Sequence, residues 1–143
     1  MIKKCLFTTI KVIRGTNMVI SQKSKINSVT EAIISCAYVV MNKLGSGFLE
    51  KVYENAMVIE LKKNGLLVES QKSICVMYEG HAIGEYVTDI FVENLVIIEL
   101  KVAKCIQSIH VAQTINYLKA CNVHYGLILN FKNPILEIKR VVH

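Results

Sequence analysis

Residues 86–101 constrain the fold of this chain more than any other stretch, because they read as two β-strands joined by a tight turn. Two apolar, β-branched runs flank Glu93-Asn94, which is the pattern of a β-hairpin. Successive side chains of a strand point to opposite faces of a sheet. Glu99 and Lys101 are therefore predicted on one face, and the apolar residues beside them on the other.

The length of the turn decides whether Asp89, the only aspartate, meets Glu99. A two-residue turn would pair Asp89 with Ile98 and point Glu99 away from it. A three-residue turn, residues 93–95, places Asp89 directly across from Glu99, and asparagine tolerates the left-handed backbone that such turns need. In that register Asp89, Glu99 and Lys101 converge on one patch.

The patch has the chemistry of a metal site. Two neighbouring carboxylates repel each other unless a cation lies between them, and hard divalent cations prefer carboxylate oxygens. A lysine beside such a site can hold an attacking water or stabilise a developing negative charge. An alternative stays open, in which Asp89, Glu99 and Lys101 form a surface ladder of opposite charges on a half-exposed sheet.

The composition indicates one globular domain. The 143 residues are 52% hydrophobic with a single proline, which is enough for a core and unlike a disordered chain. Six of the 17 Lys and Arg residues lie in residues 1–25, which hold no acid, so 11 basic and 11 acidic residues remain in residues 26–143. We therefore predict a basic, disordered leader over residues 1–25, with Met18 as an alternative start, and a single domain over residues 26–143. The net charge of +6 is weak evidence for a nucleic-acid partner, because it resides in the leader.

The cysteines indicate a reducing compartment. There are five, they are widely spaced, and no C-x-x-C occurs, which predicts buried, reduced thiols in a cytoplasmic protein. No stretch reaches the ~18 apolar residues of a membrane span. The apolar run at the start of the chain is too short for a signal peptide. No membrane partner is predicted.

The remaining elements follow from periodicity and turn residues. Ser28 and Glu31 have the spacing of a capping box, which predicts the start of a helix that ends near Lys43. A second helix is predicted over residues 48–64. Its apolar face is predicted to hold Leu49, Val52, Ala56 and Ile59. The other predicted elements are an antiparallel meander of strands 66–78, 81–92 and 95–102, a helix 108–121, a central strand 125–131 and an edge strand 135–142.

The predicted helix 108–121 carries a polar stripe. His110, Gln113 and Tyr117 step by three and then four residues, so they lie on one face. Glutamine and tyrosine are the hydrogen-bonding groups that a buried acidic site needs around it. A solvated helix face is the alternative interpretation.

The chain resembles the GxxExxY protein family, which belongs to the PD-(D/E)XK nuclease superfamily near its RecB-like branch. The residues that carry the resemblance are, in order, Gly47-Phe-Leu-Glu50-Lys-Val-Tyr53, Asp89, Glu99-Leu-Lys101, His110-Val-Ala-Gln113, Tyr117-Leu-Lys-Ala120 and Gly126-Leu-Ile-Leu-Asn-Phe131. The resemblance covers about residues 28–142. It implies an α/β (α+β mixed) fold with a restriction-endonuclease-like core, in which a central mixed β-sheet is flanked by helices.

The resemblance also implies a function, that of a Mg²⁺-dependent or Mn²⁺-dependent nuclease that attacks DNA, rather than RNA, with a metal-activated water. The implied catalytic residues are Asp89, Glu99, Lys101, Gln113 and Tyr117. Glu50 joins Asp89 and Glu99 as an implied metal ligand, and Lys101 orients or activates the water. For Glu50, stabilisation of a helix dipole is an alternative.

Two departures from the family pattern bear on this function. The residue two positions before the aspartate is often arginine in the family, and here it is Val87. Relatives with an iron–sulfur cluster carry several cysteines after the tyrosine, and here only Cys121 follows, so no cluster is predicted. The alternative function is a catalytically silent nucleic-acid-binding or protein-interaction module on the same fold, which Val87 and the formally neutral body favour. A homo-oligomer is left open.

Overall fold

The computed structural model describes the backbone of residues 2–143 and the side chains of residues 18–143. Its elements are α1 (Ile2–Leu44), α2 (Glu50–Lys63), β1 (Val68–Tyr78), β2 (His81–Val92), β3 (Val96–Lys101), α3 (Ser108–Cys121), β4 (Tyr125–Asn130) and β5 (Glu137–Val142). The predicted types of all elements from α2 onwards are confirmed, with small shifts at their ends.

The five strands form one mixed sheet in the order β1-β2-β3-β4-β5. The β3–β4 pair is parallel, and the other three pairs are antiparallel. A parallel pair needs a long crossover connection, and α3 supplies it between β3 and β4. The predicted α/β class with a central mixed sheet flanked by helices is confirmed, and so are the meander of β1–β3 and the edge position of β5.

Apolar side chains cover both faces of the sheet. α1 and α2 pack on the face that contains Ile98 and Leu100. α3 packs on the opposite face, over Ile97. Because side chains alternate along β3, Glu99 and Lys101 lie on the α3 face, and the parity predicted from the sequence is confirmed.

α1 does not begin where the sequence predicts. It begins at Ile2 and passes through Ser28 without interruption, so the predicted capping-box start at Ser28 is wrong. Ile26 is buried about one turn before the buried Val29, so core packing extends the helix past this point. Within the predicted leader of residues 1–25, the backbone of residues 2–25 belongs to α1. The side chains of residues 1–17 lie outside the described residues, so the division of the chain into a leader over residues 1–25 and a domain over residues 26–143 stays a prediction.

α2 buries a different face from the predicted one. Three residues of the predicted apolar face are exposed, namely Leu49, Val52 and Ile59. The fully buried residues are instead Tyr53, Met57 and Leu61. α2 has apolar residues on two adjoining stripes, so its periodicity does not choose between them. The choice depends on a distant contact, since the Tyr53 ring stacks on Phe131 with 4.6 Å between centroids.

The cysteines of the described residues are free, but not all of them are buried. Cys36 is buried, whereas Cys75 and Cys105 are exposed, so the predicted burial of these two thiols is wrong. Cys5 lies outside the residues whose side chains are described. Over the part of the chain that the structure describes, no helix has the length and apolarity needed to cross a membrane.

Candidate functional site

The turn between β2 and β3 is three residues long. The register pairs Val92 with Val96, so residues 93–95 form the loop. Glu93 and Asn94 have φ angles of 53° and 52°. Left-handed residues at the centre of a hairpin turn match the right-handed twist of its strands. The predicted three-residue turn is confirmed.

Asp89 lies where β2 and β3 stop pairing. The ladder ends at the pair of Ile90 with Ile98. Beyond it, Oδ2 of Asp89 accepts the backbone N–H of Leu100 at 2.7 Å. This hydrogen bond takes the place of a ladder bond, so Asp89 stays beside Glu99 although the two strands separate.

Glu99 is a buried carboxylate with an unpartnered oxygen. The residue is only 4% exposed, and among the described residues its Oε1 has no hydrogen-bond partner. Burial and, next, the charge of Asp89 raise the pKa of Glu99 to about 8, although Lys101 acts in the opposite direction. Because Glu99 is buried, the surface-ladder alternative is wrong for this residue. A buried oxygen without a partner is costly, and a bound cation would remove that cost.

Other carboxylates near Asp89 make its ionised form less favourable. Burial raises the pKa of Asp89, and the Leu100 N–H offsets part of that rise. The nearby carboxylates of Glu50 and Glu54 raise the same pKa further. The raised pKa values indicate that the surroundings hold too little positive charge to compensate these carboxylates when they are ionised. Binding of a metal ion would supply that charge and release protons.

Lys101 stands next to these acids without being tied to one of them. It follows Glu99 by two residues on the same face of β3 and is half-buried. Its positive charge lowers the pKa of both Asp89 and Glu99. Among the described residues, the ion pairs within 4.0 Å do not include Lys101. Its ammonium group therefore remains available to a ligand of the site.

Glu50 approaches the acids from α2. It is the first residue of that helix and is exposed. Its charge contributes to the raised pKa of both Asp89 and Glu99, so it lies within electrostatic reach of the pair. The position also suits the helix dipole, and this alternative remains compatible with the structure.

Tyr53 holds the loop that leads into α2. Its hydroxyl donates to the Gly45 carbonyl at 2.7 Å and accepts the Phe48 N–H at 3.2 Å. Gly47, between them, has a φ of 111°, which only glycine adopts without strain. The glycine and the tyrosine of the sequence motif therefore share one role, which is to set where Glu50 begins the helix.

Tyr53→Phe is expected to lower the free energy of unfolding by about 1–3 kcal/mol, because it leaves the Gly45 carbonyl and the Phe48 amide without their partner. Urea denaturation measures the change. Tyr38→Phe, at an exposed position of α1, is the matched control and should stay within about 0.5 kcal/mol of wild type. Equal midpoints for Tyr53→Phe and wild type would mean that the hydroxyl does not hold the loop.

The donor set fits a hard divalent cation at Asp89 and Glu99. Mg²⁺ is commonly held by one or two carboxylates together with waters and substrate phosphates, and the free Oε1 of Glu99 is such an acceptor. Among the described residues, no three His, Cys, Asp or Glu side chains are arranged to hold a metal ion. The expected sharing of one ion by Glu50, Asp89 and Glu99 is not met in this arrangement, and their roles as ligands stay predictions.

α3 brings Tyr117 to the acids and leaves Gln113 at the surface. Tyr117 is buried, and burial followed by the charges of Glu99 and Asp89 raises its pKa. Gln113 lies beside Tyr117, where its hydrogen bond lowers that pKa, and it is exposed. His110 of the same stripe caps the helix instead, because its Nδ1 accepts the Gln107 N–H at the start of α3 at 3.0 Å.

Glu54 and Gln71 border the site, and the sequence analysis assigned neither of them a role in it. Glu54 is 4% exposed, and both of its oxygens accept Nε2 of Gln71 at 2.9 Å. Lys51 adds an ion pair at 2.7 Å. Gln71 has a φ of 54° and is left out of the β1–β2 pairing at the position across from Asp89. For Glu54, the one sequence signal is that it follows the tyrosine of the motif. For Gln71 there is none, because a left-handed glutamine within a strand cannot be predicted from the sequence.

Asn130 holds the loop between β3 and α3, and it too was not predicted. Its buried amide donates to the Ala103 carbonyl at 2.8 Å and accepts the Ala103 N–H at 3.1 Å. It also donates to Glu137 at 2.9 Å, and the same carboxylate accepts the Ile106 N–H. These bonds fix the path from Lys101 to α3. A polar residue within the apolar β4 run is the only sequence signal.

Comparisons with known proteins give a family and a fold. One family model, described as the PD-(D/E)XK nuclease superfamily, matches residues 27–141. The crystal structure of SSO0001 is similar, with a TM-score of 0.53 and 14% sequence identity over 65% of this chain and 49% of that chain. At this identity the similarity concerns the fold alone, and the match spans less than two thirds of SSO0001. None of the curated proteins matches the chain in sequence.

Proposed function

Because the chain belongs to the PD-(D/E)XK nuclease superfamily, we propose that it is a metal-dependent nuclease that hydrolyses phosphodiester bonds of DNA. The sheet of five strands flanked by helices is a restriction-endonuclease-like fold and agrees with this family. Membership of the GxxExxY family within the RecB-like branch, nucleic acid as the partner, DNA rather than RNA as the substrate, and a cytoplasmic location are parts of the same proposal.

The observation that carries the proposal is the buried Glu99 carboxylate with its unpartnered oxygen, next to Asp89 and Lys101. A carboxylate in this position destabilises a metal-free fold, because it loses its hydration while one of its oxygens gains no hydrogen bond in return. Strongly perturbed acids gathered with a lysine are typical of catalytic sites. A module without activity has no use for this arrangement, since an apolar residue at Glu99 would be more stable.

Each predicted residue has a distinct task in this proposal. Asp89 and Glu99 would hold the cation, and the charge of Glu50 at the start of α2 adds to the negative potential around it. A bound Mg²⁺ or Mn²⁺ supplies charge neutralisation at the phosphate and a lower pKa for a bound water. Lys101 orients the attacking water and stabilises negative charge on the phosphate oxygens. Tyr117 and Gln113 present hydrogen-bonding groups to the nucleic-acid backbone.

Nicking of supercoiled plasmid DNA tests the proposal. Wild type is expected to nick the plasmid with Mg²⁺ or Mn²⁺ and not with EDTA. Loss of partners outside the coordination sphere of a metal costs roughly 10- to 100-fold, so Asp89→Asn should reduce the rate by more than about 100-fold. Glu85→Gln, at an exposed position of the same strand, is the control and should retain the wild-type rate.

A different result would favour the silent module, which Val87 and the neutral body support. That result is the absence of cleavage of plasmid, single-stranded DNA and RNA by wild type with either metal, together with no heat of Mg²⁺ binding in calorimetry. Cleavage that survives Asp89→Asn would instead mean that the activity does not come from this site.

A further inference from the structure

A groove leads away from the acidic site, between α3 and the β1–β2 hairpin. It consists of two adjoining clefts of about 270 Å³ and about 480 Å³, and both are lined by Tyr86 and Asn116. The smaller cleft is also lined by Gln113 and Tyr117. The charges of Glu99 and Asp89 raise the pKa of Tyr117, so this end of the groove lies within electrostatic reach of the acids. The larger cleft is lined by Lys119, farther along α3. The groove therefore runs from Tyr117, beside the acidic site, to a surface lysine.

Tyr86 is the aromatic side chain at the centre of this groove. It lies on β2, and its ring is held 5.3 Å from the Tyr117 ring at an angle of 56°. The residue is nevertheless 45% exposed, so much of the ring is open to a ligand. A rigid, partly exposed ring gives a large contact area with little loss of side-chain entropy on binding.

We propose that this groove binds the unpaired bases of a DNA single strand next to the phosphate that is cleaved. Tyr86 offers the face on which a base stacks, and aromatic residues in a groove are the usual platform for single strands. Gln113 and Asn116 offer amide donors and acceptors for the edges of the base. Lys119 offers a positive charge for a backbone phosphate. The proposal rests on the proposed nuclease function and specifies its substrate class.

The charge distribution favours a single strand over a duplex. Duplex binding without base readout depends on many Lys and Arg contacts to phosphates, whereas residues 26–143 carry as many acidic as basic residues. Base stacking then has to supply a large share of the affinity. The faces of bases inside a duplex are covered by their neighbours, so only an unpaired segment presents them to Tyr86.

Fluorescence anisotropy with a short labelled oligothymidylate tests the groove, with EDTA present so that no strand is cleaved. Wild type is expected to bind this strand about tenfold more tightly than a strand of equal length built from abasic linkers. Tyr86→Ala should weaken oligothymidylate binding by about tenfold, and Tyr86→Phe should bind like wild type. Tyr78→Ala, at an exposed position of the same hairpin outside the groove, is the matched control and should bind like wild type.

Equal affinity of wild type for the oligothymidylate and for the abasic strand would overturn the proposal, and so would wild-type affinity of a folded Tyr86→Ala. An excess of blunt duplex that displaces the strand as well as unlabelled oligothymidylate does would also overturn it. If Tyr86→Ala does not fold, the abasic comparison in wild type decides alone. Tyr86-dependent binding without cleavage of any substrate would refute the proposed nuclease activity and support the binding groove. Cleavage together with Tyr86-independent binding would support the nuclease activity and refute the groove.

Discussion

Glu99→Gln is expected to stabilise the metal-free protein at pH 8 and to remove most of the pH dependence of its stability. The pKa of Glu99 is raised from 4.5 to about 8 in the fold. Between these values the folded state keeps a proton that the unfolded state has lost, so the free energy of unfolding of wild type falls as the pH rises through this window. The shift corresponds to at most about 5 kcal/mol, and coupling to Asp89 spreads the loss over a wider pH range.

Urea denaturation at about pH 5 and about pH 8, with EDTA, measures this effect. Glu31→Gln, at an exposed position of α1, is the control and should keep the wild-type slope. Added Mg²⁺ should stabilise wild type at pH 8, by about 2.7 kcal/mol at a hundredfold excess over its dissociation constant, and should leave Glu99→Gln nearly unchanged. Parallel pH profiles for wild type and Glu99→Gln would mean that the buried carboxylate is already compensated in the fold.

Lys101→Met is expected to reduce Mg²⁺-dependent nicking by about 100- to 1,000-fold, which is the usual cost of removing one charge-stabilising donor from an active site. Methionine keeps an unbranched side chain, shorter by one heavy atom, and removes the charge. The metal-free variant should also be less stable than wild type, because the positive charge of Lys101 lowers the pKa of both Asp89 and Glu99. Added Mg²⁺ should restore stability, since it binds the folded state, but it should not restore activity.

Thermal unfolding with and without Mg²⁺, alongside plasmid nicking, separates these two effects. Lys132→Met, at an exposed position after β4, is the matched control and should resemble wild type in both assays. Full activity of Lys101→Met at saturating Mg²⁺ would show that the lysine helps only to assemble the metal site. Unchanged stability together with unchanged activity would remove Lys101 from the site altogether.

The hairpin that carries Asp89 and Glu99 was predictable because its determinants are local. The alternation of side chains along β3 and the three-residue turn over residues 93–95 depend only on neighbouring residues, and both are confirmed. The predicted bounds of α3 and β2 match for the same reason. A turn shorter or longer by one residue would have moved Glu99 to the face opposite Asp89. The predicted proximity of the two carboxylates therefore depends on this local feature.

Contacts between residues far apart in sequence determined the rest. The choice between the two apolar stripes of α2 depends on Phe131, which packs on Tyr53 from the end of β4. Gln71 reaches Glu54 only because its backbone is left-handed within β1. Glutamine rarely adopts this conformation, so the sequence does not predict it. The start of α1 was predicted wrongly because a good local cap at Ser28 was overridden by continued helix packing at Ile26.

The sequence by itself determined the order of the elements, the parity of β3 and the set of residues that can carry the chemistry. It left open whether Asp89, Glu99 and Lys101 form a charged surface or a buried site, because the two arrangements have the same alternation. Only the tertiary structure decided this, by packing α3 over the sheet so that Glu99 is 4% exposed and its oxygen unpartnered. Alternation sets the direction of a side chain, whereas burial depends on what the rest of the chain places above it.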